Sequence, residues 1–238
     1  MLDLHLLAQT VVYCCTFICG FVVAIPIGVT NTKFDGSCIL YGDFTWKTAN
    51  EFLMQSSEQL NCNFSIYLNV LGGIFYSLFL LAYNSYAVHR SRSDHNVVFG
   101  MWVLPFILLN SVMTVMILVS SCIITVGFNN FCSGITETNH YQTCADAQDR
   151  DWINHDTGDN INVGNFYELI TVAKVTVPYR TVIITSPELS DRFCLASWIS
   201  FLLWLGQVAL GILRFVRNRT HRKRTADRER IGDVDPSS

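Results

Sequence analysis

The residues best equipped for chemistry are four cysteines in polar surroundings: Cys38, Cys62, Cys132 and Cys144. In an oxidising compartment an even set of thiols reads as two disulfides. Three pairings are open. The within-loop choice, Cys38–Cys62 and Cys132–Cys144, is favoured because each bond closes a short loop beside a helix end. Each bond then stabilises by about 3 kcal/mol in the chain-entropy picture. The competing chemistry is a metal centre, since His140 and His155 flank Cys144. That spacing matches no zinc pattern, and a thiol pair in an oxidising compartment is not kept as thiolate ligands. The expectation is therefore no metal.

Two other groups stand out. Asn110 is the most polar residue within an otherwise apolar run, and its amide suits an interhelical hydrogen bond better than a pore lining. Near the C-terminus eight basic residues fall within Arg214–Arg230, among them Arg217, Arg219, Arg222, Lys223 and Arg224. Such a cluster attracts anionic lipid, at about 1 kcal/mol per charge near the surface. Arg217-Asn-Arg219 and Arg222-Lys-Arg224 also have the form of arginine-based retrieval signals. No Ser/His/Asp grouping, glycine-rich phosphate loop or intramembrane Asp pair is present. The chain is accordingly expected to be no enzyme, to need no cofactor and to bind no nucleic acid.

The elements that must position these residues are membrane spans. Half of the 238 residues are hydrophobic and only 15% are charged, against roughly 25% in soluble domains. Mean hydropathy is +0.32. Four apolar segments have the roughly 20 residues a bilayer crossing needs, over 4–27, 66–88, 98–126 and 193–215. Ionisable residues (His5, Arg214, Asp191, Arg192) occur only at their edges. The first segment is too long for a signal peptide, lacks a preceding Lys or Arg, and has a poor cleavage site at Val29-Thr-Asn. It reads as a retained span. The fold class is an all-α membrane protein, a four-helix bundle with two disulfide-containing outer loops.

Orientation follows from the distribution of Lys and Arg. The connector 89–97 and the tail 216–238 are basic. The connector 28–65 is acidic on balance, and 127–192 holds nine acidic residues against four basic ones. Residues 1–3 and the tail are thus expected in the cytosol, with both long loops outside or in the lumen of a plasma or secretory-pathway membrane. The remaining cysteines, Cys14, Cys15, Cys19, Cys122 and Cys194, read as small packing residues of the spans.

Each loop leaves alternatives open. Phe34, Tyr41, Phe44 and Trp46 in the first are either interfacial anchors or the core of a compact outer fold packed on the second loop. Asn63-Phe-Ser65 is a glycosylation sequon too close to the second span for use, and Asn218-Arg-Thr220 lies on the cytosolic side. In the second loop, the stretch Asp149–Asp156 lacks the glycine placement and closing Glu of a calcium loop and reads as a solvated acidic face. Residues 172–185 are β-branched and interrupted by Pro178, giving strands or a membrane-surface loop.

The chain resembles a known family at several points. Phe106-Ile-Leu-Leu-Asn110, Ile124-Thr-Val-Gly-Phe-Asn-Asn-Phe-Cys132-Ser-Gly-Ile-Thr136, Cys144-Ala-Asp-Ala-Gln-Asp149 and Asn165-Phe-Tyr167 resemble the transmembrane protein 179 family. Phe34-Asp-Gly-Ser-Cys38-Ile-Leu, Cys62-Asn-Phe-Ser and Ala196-Ser-Trp198 do so as well. The resemblance covers most of residues 4–216. It implies a four-span protein with no established catalytic residues to carry over. About twenty residues between Lys174 and Cys194, and the basic tail, depart from that pattern. The functional expectation is an accessory, trafficking or interaction protein whose partners are the bilayer and another membrane protein or a second copy. The rival is a channel or transporter subunit with its own conduction path, which a water-lined cavity at Asn110 would favour.

Overall fold

The computed structural model describes residues 4–34, 36–48, 51–91, 103–136, 144, 147, 151–154, 158, 160–161, 167 and 195–232. Its four long helices are α1 (Leu4–Lys33), α2 (Gln59–Ser91), α3 (Leu104–Thr136) and α4 (Leu195–Gly232). All four are long and apolar enough to cross a membrane. A spanning backbone must satisfy its own N–H and C=O groups, and a helix does so within itself. Large apolar side chains such as Leu71, Phe75, Val112, Val115 and Leu202 point outward on every helix. In water that would be costly. In lipid it is the ground state, and the protein is an integral, multi-pass membrane protein.

The helices outrun the apolar windows. α1 and α3 continue through residues 28–33 and 127–136, α2 begins at Gln59 rather than 66, and α4 continues to Gly232. Hydropathy marks where lipid contact ends, whereas a helix ends where its capping changes. α1 closes with backbone bonds from Phe34 to Thr30 and from Gly36 to Asn31. Gly36 adopts a φ of +79°, open to glycine without penalty.

α2 is α-helical over Gln59–Leu68 and Ser77–Ser91, with a π-helix at Asn69–Tyr76 between them. Gly72 and Gly73 lie in this wider coil. A Cβ on Gly20 of α1 would stand 2.7 Å from the Gly73 carbonyl carbon, so the two backbones touch there. Only glycine permits that approach. The Asn69 amide donates to Ser65 O, and the Ser77 hydroxyl to Gly73 O, holding the irregular turns.

In addition to the bundle, the loops carry a four-stranded sheet. β1 (Cys38–Thr48) pairs antiparallel with β2 (Glu51–Ser57), β2 pairs parallel with β3 (Asp151–Asn154), and β3 pairs antiparallel with β4 (Asn160–Ile161). The β2–β3 ladder joins the first loop to the second. A compact fold of the two loops is therefore what forms, and Phe34 belongs to its core. Trp152, fully buried, anchors it. Its indole N–H donates to Ala147 O at 2.9 Å, and its ring lies 5.7 Å from Phe34 and 6.0 Å from Phe131. Each such aromatic pair adds about 1 kcal/mol beyond burial. The stretch read as a solvated acidic face thus supplies, at Trp152, a fully buried core residue of the sheet. Residues 172–185, His140, His155 and the start of the fourth span at 193 lie outside the described residues.

Candidate functional site

Two constellations hold the chemically capable residues: a braced sheet at one end of the bundle and a polar junction towards the other. At the sheet end, Cys38 is bonded to Cys62, with Cα atoms 5.7 Å apart. Cys132 is bonded to Cys144, with Cα atoms 5.3 Å apart. The first bond ties the start of β1 to α2. The second ties the end of α3 to the segment leading into β3. Cys132 sits within α3 and not in a free loop, so both bridges fasten loop to helix.

β1 lies directly on α3. A Cβ on Gly127 would meet Leu40 Cβ at 2.9 Å and the Tyr41 ring at 3.0 Å. Tyr41 takes a φ of +65°, rare for a side chain of its size, at the register shift between Cys38 and Asp43. The strained bulge bends the strand over the glycine. The Ser57 hydroxyl donates to Leu40 O across the same bend.

The polar junction centres on Asn110, which is 3% exposed. Its Nδ2 donates to the Tyr13 hydroxyl at 2.7 Å, and the Tyr76 hydroxyl donates to its Oδ1 at 3.1 Å. One amide thereby links α1, α2 and α3. The Tyr76 ring stacks on Trp204 of α4 at 5.8 Å, bringing in the fourth helix.

Below this node the fourth helix turns Arg214 inward. Arg214, near the end of the apolar segment, is 5% exposed and faces the other helices. Its Nη1 donates to Gln9 Oε1 at 3.2 Å and to Asn84 Oδ1 at 3.4 Å. Gln207 Nε2 donates to the Gln9 backbone carbonyl at 3.0 Å. A cavity of about 20 Å³ lies among Gln9, Tyr13, Asn84, Asn110, Phe106 and Arg214, room for a water molecule or a few atoms of a larger group. Sequence reading placed Asn110 but missed Gln9, Tyr13, Tyr76 and the inward turn of Arg214. A signal existed: Gln207, Gly211, Arg214 and Asn218 share one face of α4 at i, i+4, i+7 and i+11.

The basic tail is the continuation of α4. Arg219, Lys223 and Arg224 are exposed, Arg217 is half-buried, and the side chain of Arg222 lies outside the described residues. Both Arg-x-Arg units are therefore helical. Asn63 is half-buried and Ser65 fully buried within α2. The thiols of Cys14, Cys15 and Cys122 face outward, contrary to the expectation of internal packing. A thiol is as well placed against lipid tails as against another helix, so nothing draws it inside.

Four apolar helices agree with what the sequence matches, a family of transmembrane proteins. The profile described as "Transmembrane protein 179/179B Claudin domain" covers residues 5–183. The chain belongs to the transmembrane protein 179/179B family. Among curated relatives, Transmembrane protein 179B of Danio rerio is 24% identical over 228 residues, 93% of this chain and 89% of that protein. Transmembrane protein 179B of Mus musculus is 27% identical over 144 residues, 60% of this chain and 64% of that protein. No solved structure matches the chain significantly.

Proposed function

We propose that this family member is a non-enzymatic accessory, trafficking or adhesion-type protein that presents its sheet to another membrane protein or to a second copy of itself. The carrying observation is the β2–β3 ladder, which unites two separate loops in one surface. Two disulfides brace that surface against the bundle. A presented surface benefits from such stiffness, because less ordering entropy is lost on binding.

The disulfides also favour an oxidising compartment for the sheet end. With the basic tail at the other end, this supports cytosolic termini in a plasma or secretory-pathway membrane. The tail then serves as an anionic-lipid anchor, with arginine-based retrieval as its further role.

The cavity at Asn110 favours a second reading, a channel or transporter subunit, because it places a guanidinium and amide groups inside the membrane. Its size suits hydration of the junction better than passage of an ion.

Purification in mild detergent from native cells, with mass spectrometry of what co-elutes, separates the two. A membrane protein at fixed stoichiometry is the expected result. A chain that emerges alone and passes ions in proteoliposomes overturns the accessory reading.

A further inference from the structure

α2 and α3 meet closely at one end of the bundle and part at the other. Among the described residues, their close backbone contact is concentrated over Gln59–Leu68 of α2. Beyond that point aromatic side chains bridge the gap. The Tyr76 hydroxyl reaches Asn110, and the Tyr83 ring lies 5.2 Å from that of Phe106. Tyr83 and Phe106 are half-buried, while Phe79, Leu104 and Leu108 beside them are exposed to lipid. Phe79, Tyr83, Tyr86 and Arg90 follow at i, i+4, i+7 and i+11, a single stripe along α2.

The cavity of about 20 Å³ lies at the back of this cleft, lined by Tyr83 and Phe106 on the lipid side and by Gln9, Tyr13, Asn84 and Asn110 within. Its amide oxygens are occupied: Asn110 Oδ1 accepts from Tyr76, and those of Gln9 and Asn84 accept from Arg214. The Tyr13 hydroxyl accepts from Asn110, which leaves its own proton to donate. A guest must therefore bring an acceptor oxygen. The space holds a group about the size of water, so that oxygen belongs to a hydroxyl and not to a phosphate head group. Asn84 and Arg214 fall within four residues of the ends of their apolar segments, 66–88 and 193–215. The cavity thus lies near the polar boundary of the membrane, the depth at which a sterol holds its one hydroxyl. Flat, rigid sterol rings also lose less freedom on ordering against aromatic side chains than an acyl chain does.

We propose that the cleft between α2 and α3 binds a membrane sterol, its hydroxyl accepting from Tyr13 in the cavity and its rings lying against Tyr83, Tyr86 and Phe106. The order Leu81, Tyr86, Arg90 has the spacing associated with sterol contact, a pattern that means little without a pocket behind it.

The test reconstitutes the full-length protein in phosphatidylcholine vesicles with a photoreactive cholesterol analogue and maps the adducts by mass spectrometry. Adducts are expected within Ser77–Ser91 and residues 104–110, displaced by excess cholesterol. Epicholesterol, whose hydroxyl points out of the ring plane, should displace about fivefold less well, the contribution of one hydrogen bond. Tyr13→Phe should erase that difference between the epimers. Tyr86→Leu, at an exposed position, should weaken labelling, and Ile18→Ala on the lipid face of α1 should not. Adducts spread over all four helices, equal displacement by the two epimers, or an epimer difference that survives Tyr13→Phe overturns the proposal. Displacement by oleic acid as effective as by cholesterol overturns it too, since the cleft then takes a fatty acid.

Discussion

Asn110 carries two hydrogen bonds to two other helices at once. Asn110→Leu keeps the volume near native and removes both. In membrane proteins such bonds average about 0.6 kcal/mol each, so the expected cost is about 1 kcal/mol, read as a lower midpoint of thermal unfolding in detergent. Arg214→Leu should cost more, because it leaves the Gln9 and Asn84 carbonyl oxygens without their charged donor inside the bundle. Hydrogen bonds to charged groups contribute about 1.5–3 kcal/mol. Asn63 should carry no glycan: it is half-buried in a helix whose Ser65 is buried. Glycosidase treatment is expected to leave the protein's mass unchanged. At this scale the sequence is a partial guide. Asn110 announces itself by standing alone in an apolar run. Arg214 is hidden by company, because it opens a cluster of eight basic residues and reads as one more of them until the facing of α4 is known.

Two contacts between elements depend on glycines, α1 against α2 at Gly20 and α3 against β1 at Gly127. Gly20→Val should separate α1 from α2, since even a Cβ there would enter the Gly73 backbone. Overpacking of this kind costs about 1–3 kcal/mol, with loss of monodispersity in size-exclusion chromatography as the readout. Gly127→Val should instead lift β1 from α3. It should then slow formation of the Cys38–Cys62 bond, whose first cysteine begins β1, as followed by non-reducing electrophoresis. Spans and their number were legible, because an uncharged apolar run of bilayer length suits little besides a bilayer. Cys38, Cys62, Cys132 and Cys144 were legible as two short-loop pairs, and the structure forms both. The sheet was not. β2 meets β3 across about a hundred residues of sequence, and no local pattern encodes a parallel pairing between two loops. Trp152 looked like part of an acidic loop because its neighbours are acidic; its role depends on Phe34 and Phe131, which lie distant in the chain. The π-helix was equally silent, since Gly72-Gly73 fits close α-helical packing just as well.

For the whole molecule, the arrangement is polarised: a braced sheet at one end, a basic helical rod at the other, and lipid-facing apolar surface between. The family match covers residues 5–183, which hold α1 to α3 and all four strands, while the whole of α4 lies beyond it. On the function proposed above, the sheet recognises the partner and the tail attaches to the membrane surface. The most direct test is site-specific photocrosslinking in native cells, with a photoreactive residue in place of exposed Glu58 beside the sheet or lipid-facing Val115 at mid-span. Recognition through the sheet predicts a discrete protein adduct from position 58 and lipid adducts alone from position 115. A protein adduct from position 115 with none from position 58 would contradict it.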